Sequence, residues 1–347
     1  MIYVHVPFCR SFCTYCSFYS ELACKGKDAE AFRKYTGCLL EEISSRRDEI
    51  EASREVDTLY IGGGTPSTLP LPFLEEIVTA LGKASYSEFT IEVNPEDIVE
   101  KGPGYVSALR SLGVNRISMG VQSLDDGILR WMNRRHNADG ARRAFGMLRE
   151  GGFDNISVAL IFGLSNLGDA VLEATLREMI SWKPEHVSAY QLSVEEGSAL
   201  AEMVGKGLYA EADEEKCRHQ YELICSTLSA AGYHHYEISN WAVPGREAVH
   251  NGAYWTRAAY VGLGPGAHSF DGALRRTWNS EEPCGWTASG ETLTPEDVRL
   301  ERIMLGLRTD RGIPEGLCDT SALERTGGRY RIPESLWFVS DEIISGL

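Results

Sequence analysis

Three cysteines near the amino terminus have the spacing of a metal-binding loop. Cys9, Cys13 and Cys16 fall within eight residues, directly after an apolar run at 2–6. Thiolates are soft ligands that suit zinc ions and iron–sulfur clusters. A closed structural zinc site takes four ligands, and the nearby candidate His5 points elsewhere by strand alternation. Three thiols would instead leave one iron of a [4Fe–4S] cluster open to an exogenous ligand, so we predict a cluster rather than zinc.

Short strand-like runs alternate with helical patterns through the first part of the chain. We predict six strands, each followed by helix, at 2–6, 57–61, 89–93, 116–121, 156–162 and 186–192. The helices are predicted at 28–50, 71–81, 105–112, 125–132, 138–150 and 169–181. Repeated strand–helix units form a parallel sheet, and six units are fewer than the eight of a closed barrel. The predicted fold is therefore α/β, an open partial (β/α)6 barrel of the TIM type with its active site at the carboxyl ends of the strands.

The chain is predicted to divide into three parts. A barrel domain at 1–195 carries the cysteine loop, and an accessory α/β extension follows at 196–285. The extension is predicted to contain one long helix and two short strands, at 213–231, 233–238 and 259–262. Residues 286–347 are predicted to form a small helical or winged-helix-like module.

The composition and charge exclude several classes of protein. Hydrophobic residues make up 43% and charged residues 24% of the 347 residues, as in an ordinary globular protein. The net charge of −16 repels phosphate backbones, which argues against nucleic acid as a partner. No apolar run approaches the roughly 20 residues that span a bilayer, and the first residues lack the features of a signal peptide. We therefore predict a cytoplasmic protein without a transmembrane segment, which leaves peripheral membrane contact open.

The other six cysteines are scattered along the chain, and Cys24 is the one nearest to the cysteine loop. A total of nine cysteines is odd, which argues against a fully paired disulfide framework. Cys217 and Cys225 fall on one face of a predicted helix, and we predict that both are packing residues.

A glycine run follows the second predicted strand. Gly62, Gly63 and Gly64 precede Thr65 and Pro66 at the carboxyl end of that strand. Without side chains, the glycine backbone can approach a ligand closely and offer its amide groups. A simple tight turn is the alternative, but three glycines between a strand and a helix favour close approach to a ligand.

Polar side chains end two further strands. Glu92 lies within an apolar strand, where burying a carboxylate is costly unless it is paired. Its partner is either a cationic or hydroxyl-rich ligand or a neighbouring lysine or arginine. Gln122 ends the fourth strand with an amide that can donate and accept hydrogen bonds. Arg134 could clamp a ligand carboxylate through two hydrogen bonds, and Arg135 competes with it for that role.

The CxxxCxxC spacing, with Tyr15 before the third cysteine, resembles the signature of the radical S-adenosylmethionine (SAM) superfamily. The resemblance implies a [4Fe–4S] cluster on Cys9, Cys13 and Cys16 whose fourth iron is chelated by the amine and carboxylate of SAM. It also implies that an electron from the cluster cleaves the sulfonium to give a 5′-deoxyadenosyl radical. The residues predicted to contact SAM are Tyr3, Tyr15, Gly63, Gly64, Thr65, Glu92, Gln122 and Arg134.

The fifth predicted strand departs from the pattern of this superfamily. Members usually carry an aspartate there, followed by Gly-Leu-Pro, whereas this chain has Ala159 and then Gly163, Leu164 and Ser165. An alanine cannot accept a hydrogen bond from a ribose hydroxyl, and leaving such a partner unpaired costs roughly 1–3 kcal/mol. The departure therefore predicts weaker SAM binding than the full pattern gives.

Position 18 points to one branch of the superfamily. The chain is similar to the branch of oxygen-independent coproporphyrinogen III oxidases and HemW-type heme chaperones, and the similarity continues through 186–192 and 262–269. The oxidases carry a fourth cysteine two residues after the third, where this chain has Phe18 and so resembles the chaperones. A phenyl ring cannot replace a thiol in the chemistry of the oxidases.

His250 begins a second motif, since residues 250–255 read HNGAYW and resemble the HNxxYW motif of the heme chaperones. Imidazole is the commonest axial heme ligand, and two large aromatic side chains can pack on a porphyrin. A histidine beside aromatic residues is alternatively a structural group, and His268 is a secondary candidate. The resemblance implies that His250 binds heme.

The predicted function is that of a heme chaperone that carries a [4Fe–4S] cluster and SAM. The chain would bind heme and transfer it to an acceptor haemoprotein, for example a respiratory enzyme. One alternative is a coproporphyrinogen III oxidase that decarboxylates its substrate by radical chemistry. Another is a radical SAM enzyme that acts on an unrelated small molecule, whereas the net charge disfavours a transfer-RNA-modifying enzyme.

Overall fold

A nine-stranded sheet forms the centre of the computed structural model, which describes residues 1–23, 28–83 and 85–347. The first six strands, β1 to β6, are Ile2–Val6, Thr58–Gly63, Glu88–Val93, Arg116–Gln122, Ile156–Phe162 and His186–Gln191. Strands β7 to β9 are His234–Glu237, Asn240–Ala242 and Val261–Leu263. All six strands predicted for the barrel are confirmed, with their ends moved by at most two residues.

The order of the strands is β9–β1–β2–β3–β4–β5–β6–β8–β7. Neighbours from β9 through β6 run parallel. At the other edge, β8 is antiparallel to β6, and β7 is antiparallel to β8. The predicted α/β array of six parallel strands is therefore present, and residues beyond 195 extend its sheet at both edges. The division of the chain at 195 and 285 stays a prediction.

Helices connect the parallel strands. They are Asp28–Ser45, Arg47–Ala52, Leu71–Ala80, Pro95–Ser111, Asp126–Trp131, Ala138–Glu150 and Asp169–Ser181. The helix predicted at 28–50 is divided because the backbone of Arg46 leaves the helical conformation. The range Pro95–Ser111 holds two helical segments, because the backbone of Gly102, with a φ of 75° and a ψ of −175°, leaves the helical conformation between them. The helix predicted at 105–112 lies in the second segment, and the first segment was not predicted.

The second half of the chain adds helices and small sheets. Its helices are Ala199–Gly205, Glu214–Ala230, Val249–Trp255, Pro295–Leu307 and Ser340–Ser345. A three-stranded antiparallel sheet contains His268–Phe270, Arg275–Asn279 and Ala288–Thr292, and a hairpin pairs Glu324–Thr326 with Arg329–Arg331. Short 3-10 helices occur at Ser53–Glu55, Pro66–Thr68 and Glu334–Val339. No helix in the described ranges is long and apolar enough to cross a membrane.

Four of the described cysteines outside the amino-terminal loop lie on helices or take part in a disulfide. Cys217 is buried and Cys225 is partly buried on helix Glu214–Ala230. Cys38 and Cys284 form a disulfide that joins helix Asp28–Ser45 to the loop before Ala288–Thr292. The sequence analysis did not anticipate this pair, and Cys24 lies outside the described residues.

The two faces of the six-stranded array differ in polarity. Side chains alternate between the faces of a strand. Apolar, fully buried side chains form the outward face, which includes Leu59, Ile61, Ile91, Ile117, Met119 and Val158. Polar side chains predominate on the inward face, which includes Thr58, Tyr60, Thr90, Glu92, Arg116, Ser118, Ser157, His186 and Ser188. The helices therefore bury an apolar surface, and the interior of the array is a polar chamber.

Candidate cluster and cofactor site

The cysteine loop lies at the carboxyl ends of the central strands. Cys9 is the last residue of a two-residue strand, Phe8–Cys9, that follows β1. Cys13 and Cys16 come after it in a loop. Thr14 fastens this loop to helix Asp126–Trp131, because its hydroxyl donates a hydrogen bond to the carbonyl of the last residue of that helix at 2.8 Å. The loop is thus held where the sequence analysis expected the active site.

The three cysteines of this loop are free, partly buried thiols. Burial, with a smaller contribution from the neighbouring Cys13 and Cys9, raises the pKa of Cys16 to about 11. Burial also raises the pKa of the Cys9 thiol. Bound iron would supply the positive charge that stabilises thiolates, so this donor set fits an iron–sulfur cluster. Within residues 1–23, 28–83 and 85–347, no three His, Cys, Asp or Glu side chains are arranged to hold a single metal ion.

The glycine run at the end of β2 contacts the cysteine loop. Gly63 has a φ of +112°, and a Cβ placed there would lie 2.8 Å from the ring of His5. A Cβ on Gly64 would lie 3.1 Å from the Cys9 sulfur, and the Thr65 hydroxyl lies 3.4 Å from the same sulfur. The absence of side chains therefore lets β2 approach the loop that would carry the cluster.

The backbone amide groups of Gly64 and Thr65 are engaged by the cysteine loop and the strand before it. Gly64 donates to the carbonyl of Val6 at 2.9 Å, and Thr65 donates to the carbonyl of Phe8 at 2.8 Å. These amides hold the cysteine loop against β2. The predicted ligand contacts of this run would therefore come from its exposed backbone surface and from the Thr65 side chain.

Glu92 is paired inside the chamber by neutral groups. Its carboxylate accepts a hydrogen bond from the Tyr60 hydroxyl at 2.7 Å and from the Gly63 amide at 3.2 Å. Burial raises the pKa of the Glu92 carboxyl. The ring of Tyr3 lies 6.1 Å from that of Tyr60, so both tyrosines border the same region. In the described part of the chain, no lysine or arginine forms an ion pair with Glu92.

Arg134, rather than the exposed Arg135, faces the cysteine loop. Its guanidinium donates to the Asn94 side-chain oxygen at 2.6 Å, to the Gly120 carbonyl at 2.9 Å and to the Cys13 sulfur at 3.5 Å. Its Nε atom is buried without a hydrogen-bond partner. A donor in this position could bind the carboxylate of a ligand.

Tyr15 and Gln122 complete the polar group around Arg134. Burial raises the pKa of Tyr15, and the nearby Arg134 charge opposes that shift. Gln122 ends β4 with a φ of +65°, and its amide nitrogen is 2.9 Å from the position of a Cβ on Gly120. The structure therefore brings the predicted residues of β2, β4 and the cysteine loop to one end of the sheet.

Asn94 belongs to this group, and the sequence analysis did not select it. Its side-chain amide donates to the Thr65 hydroxyl at 3.2 Å, while its oxygen accepts from Arg134. Asn94 thus links the glycine run to the arginine. Its position directly after the third strand was the available signal, because strand ends gather the site residues in such folds.

His250 lies at the opposite end of the strands. Its Nδ1 atom is hydrogen-bonded to the hydroxyl of Thr58, the first residue of β2, at 2.8 Å. Its Nε2 atom is 3.2 Å from the Tyr254 hydroxyl, and only 2% of the residue is exposed. Burial lowers the pKa of His250 to about 3, so the imidazole is neutral. The structure therefore does not bring His250 together with the cysteine loop, which adjoins the other end of β2.

Two buried carboxylates hold the helix that carries His250. Glu88 accepts hydrogen bonds from the first two amides of helix Val249–Trp255, at 2.9 and 2.8 Å. Glu237 accepts from the side chains of Asn240 and Asn251, and burial raises its pKa to about 7. Negative charge at a helix amino terminus is stabilising. These contacts fix the HNxxYW segment against the amino ends of β2 and β3.

Replacing Glu88 with glutamine should destabilise the fold measurably. The glutamine keeps the shape of the side chain but offers one acceptor oxygen where the structure needs two. Hydrogen bonds to charged groups contribute about 1.5–3 kcal/mol, so the free energy of unfolding should fall by about that amount in a denaturant titration. The control is Glu76→Gln, at an exposed position on helix Leu71–Ala80. Equal losses in the two variants would contradict the proposed capping role of Glu88.

The positions of three further residues from the sequence analysis are as follows. His268 begins the three-stranded sheet, where its ring stacks on Trp278 at 6.1 Å. Phe18 is 73% exposed shortly after Cys16. Ala159 lies in β5 next to Gly120 in the register of the sheet.

Comparison with known families and proteins gives consistent matches. A family model described as the radical SAM superfamily matches residues 3–179. A protein of Lactococcus lactis named heme chaperone HemW is 32% identical over 322 residues, covering 90% of this chain and 82% of that protein. A protein of the same name from Mycobacterium tuberculosis is 34% identical over 340 residues, covering 93% and 85%.

A solved structure resembles the chain over a similar span. Coproporphyrinogen III oxidase (HemN) from Escherichia coli superimposes with a TM-score of 0.73 at 21% sequence identity. The match covers 89% of this chain and 75% of that one. Such a similarity supports the same α/β fold, and the predicted fold class is confirmed by it.

Proposed function

Since this chain belongs to the radical SAM superfamily, we propose that it is a heme chaperone. Membership of the superfamily implies SAM and a [4Fe–4S] cluster as cofactors. The observation that carries the proposal is 32–34% identity to proteins named heme chaperone HemW over at least 90% of the chain. We further propose that the protein acts in the cytoplasm and passes heme to an acceptor hemoprotein such as a respiratory enzyme.

In this proposal, Cys9, Cys13 and Cys16 hold the cluster. When bound, the cluster would supply an electron to the sulfonium of SAM. Arg134 places positive charge beside Cys13 and has an unpaired Nε donor, which suits the carboxylate of the methionyl group. Gly64 allows the backbone to approach the Cys9 sulfur, and Gly63 allows it to approach the His5 ring, where side chains would collide.

Phe18 favours the chaperone over the coproporphyrinogen III oxidase. Its phenyl ring occupies the position where the oxidases have a fourth cysteine, and it is largely exposed. A phenyl ring offers neither a thiolate nor a proton to a substrate. The loop therefore contains the three thiols for one cluster and lacks the extra thiol that the oxidase reaction uses.

We assign heme ligation to His250, and this assignment requires the HNxxYW segment to move. The neutral imidazole is the protonation state that ligates iron. However, both ring nitrogens are hydrogen-bonded in the structure, and the adjoining cavity measures about 140 Å³. Pockets for drug-sized ligands span about 300–1,000 Å³, so a porphyrin cannot enter this cavity as it stands. Heme binding would displace helix Val249–Trp255 from Thr58.

A heme titration tests the proposal. Heme added to the purified protein should produce a saturable change in the Soret absorbance, and His250→Ala should weaken that binding by about tenfold or more, because an axial ligand is lost. The matched control is His219→Ala, which changes a largely exposed histidine on helix Glu214–Ala230. Undiminished heme binding by His250→Ala would show that His250 is not a heme ligand. Failure of the wild-type protein to bind heme would overturn the chaperone proposal.

A further inference from the structure

The polar chamber inside the sheet contains a cavity of about 140 Å³ at the end that adjoins helix Val249–Trp255. Its walls come from the inward faces of the strands and from that helix. The residues that matter here are Tyr60, Glu88, Arg116, Ser118, Ser157 and His186. A water molecule takes up about 30 Å³ of liquid volume, so the cavity has room for a small polyatomic ion and one or two waters.

Arg116 brings a positive charge to this cavity without a matching acid. It is the first residue of β4, and only 3% of it is exposed. Within the described residues, the guanidinium makes one hydrogen bond, a long one of 3.5 Å to the Thr90 hydroxyl, and its Nε atom has no partner. Across the three described ranges, no carboxylate lies within ion-pair distance of its guanidinium. A buried charge without a partner costs several kcal/mol, and a guanidinium has five N–H donors to satisfy.

The two glutamates near Arg116 accept hydrogen bonds from other groups. Glu88 lines the same cavity, but its two oxygens accept hydrogen bonds from the amides of helix Val249–Trp255. Glu92 is close enough to Arg116 for an electrostatic effect, and it is engaged by Tyr60. Burial raises the pKa of Glu92, and its hydrogen bonds and the nearby Arg116 charge oppose that shift.

The rest of the wall offers neutral hydrogen-bonding groups. His186 is hydrogen-bonded to the Ser157 hydroxyl at 2.8 Å and to the Tyr236 hydroxyl at 2.7 Å. Burial holds the pKa of His186 well below its usual value, so it adds no second positive charge. The Ser118 hydroxyl also borders the cavity and can donate to a ligand. Among the described residues, the wall therefore holds one guanidinium without an ion-pair partner, the carboxylate of Glu88 that accepts from the helix amides, and otherwise neutral groups. The guanidinium suits a ligand with a single negative charge.

We propose that this cavity binds a small monovalent anion, a halide or a short carboxylate such as formate, against the guanidinium of Arg116. The ion would complete the hydrogen bonding of the arginine and balance its charge at the centre of the array. The cavity is too small for SAM or a porphyrin, and the cysteine loop lies at the other end of β2. The site is therefore separate from the proposed cluster, and because helix Val249–Trp255 forms part of its wall, it belongs to the state without bound heme.

Bromide and formate test this proposal in the cluster-containing protein. Crystals soaked in sodium bromide should show an anomalous peak within hydrogen-bond distance of the Arg116 guanidinium. Thermal unfolding is measured while formate is exchanged for the bulkier anion gluconate at constant ionic strength. Increasing formate should raise Tm saturably by about 2–4 °C. Arg116→Met should abolish that rise, whereas Arg143→Met, which removes an equal charge from an exposed position, should preserve it.

Two results would overturn the proposal. One is a bromide map with no anomalous peak at Arg116. The other is a formate-dependent rise in Tm that is equal in Arg116→Met and in the wild-type protein. The diffraction measurement uses only the wild-type chain, so it decides the question even if Arg116→Met does not fold. Neither measurement involves heme, so the outcome is independent of the proposed chaperone function.

Discussion

Replacing Cys13 with alanine is expected to abolish cluster assembly. Cys13 supplies one of three proposed thiolate ligands, and Arg134 donates to its sulfur at 3.5 Å. Changes to the partners of metal ligands alone cost about 10–100-fold in metal affinity, so the loss of a ligand should cost at least that much. After anaerobic reconstitution and desalting, the variant should retain less than about a tenth of the iron and sulfide of the wild-type protein. Its broad visible absorbance should disappear in parallel.

A cysteine outside the loop provides the control for this experiment. Cys318 is a free, partly buried thiol in the carboxyl-terminal region. Cys318→Ala removes the same chemical group and should leave the iron and sulfide content unchanged. If Cys13→Ala kept the wild-type content, Cys13 would not be a ligand, and the proposed cluster site would be wrong.

Replacing Gly63 with alanine is expected to impair both stability and SAM binding. The φ of +112° at Gly63 is accessible to glycine and strained for any residue with a Cβ. The added carbon would also lie 2.8 Å from the His5 ring. Backbone strain of this kind costs about 1–3 kcal/mol, and relieving it would move the end of β2 away from the cysteine loop. SAM affinity, measured by calorimetry on the reconstituted protein, should fall by about tenfold or more, since each 1.4 kcal/mol is about tenfold.

An exposed glycine provides the control, because it separates the strain at Gly63 from the general effect of changing glycine to alanine. Gly104 lies on helix Pro95–Ser111, and a Cβ there would meet no other atom within 4 Å. Gly104→Ala should therefore preserve the SAM affinity and should not lower the unfolding temperature, since alanine is the better helix former. Unchanged SAM binding by Gly63→Ala would show that the glycine run serves only the local turn.

The strands were predictable because their outward faces are strongly apolar. Residues such as Ile91 and Ile117 mark buried strands, and helices that follow them fix the parallel arrangement. The helix before the fourth strand was harder to place. Gly102 and Pro103 signal a break, and the structure has a non-helical backbone at Gly102, but a further helical segment precedes it from Pro95.

The cysteine site was predictable because its ligands are local in sequence. Three thiols within eight residues must lie near one another whatever the rest of the chain does. The choice between Arg134 and Arg135 depended instead on the backbone. Asn133 adopts a left-handed conformation with a φ of +57°, and the chain then turns Arg134 toward the site while Arg135 remains exposed.

The surroundings of His250 could not be read from its neighbours in sequence. Its hydrogen-bond partner Thr58 is 192 residues away, and the glutamate that caps its helix is 162 residues away. The polar inward face was visible as alternation, for example in Glu88, Thr90 and Glu92. Such alternation usually indicates a face exposed to water, so only the assembled array showed that these groups enclose a chamber.

The central claim is that the three loop cysteines hold a [4Fe–4S] cluster with one iron free for SAM. Electron paramagnetic resonance of the reduced, reconstituted protein, recorded with and without SAM, tests this claim most directly. The account predicts the signal of a reduced [4Fe–4S] cluster and a clear change in its shape when SAM is added. A spectrum that SAM leaves unchanged, or a protein that binds a single metal ion without sulfide, would contradict it.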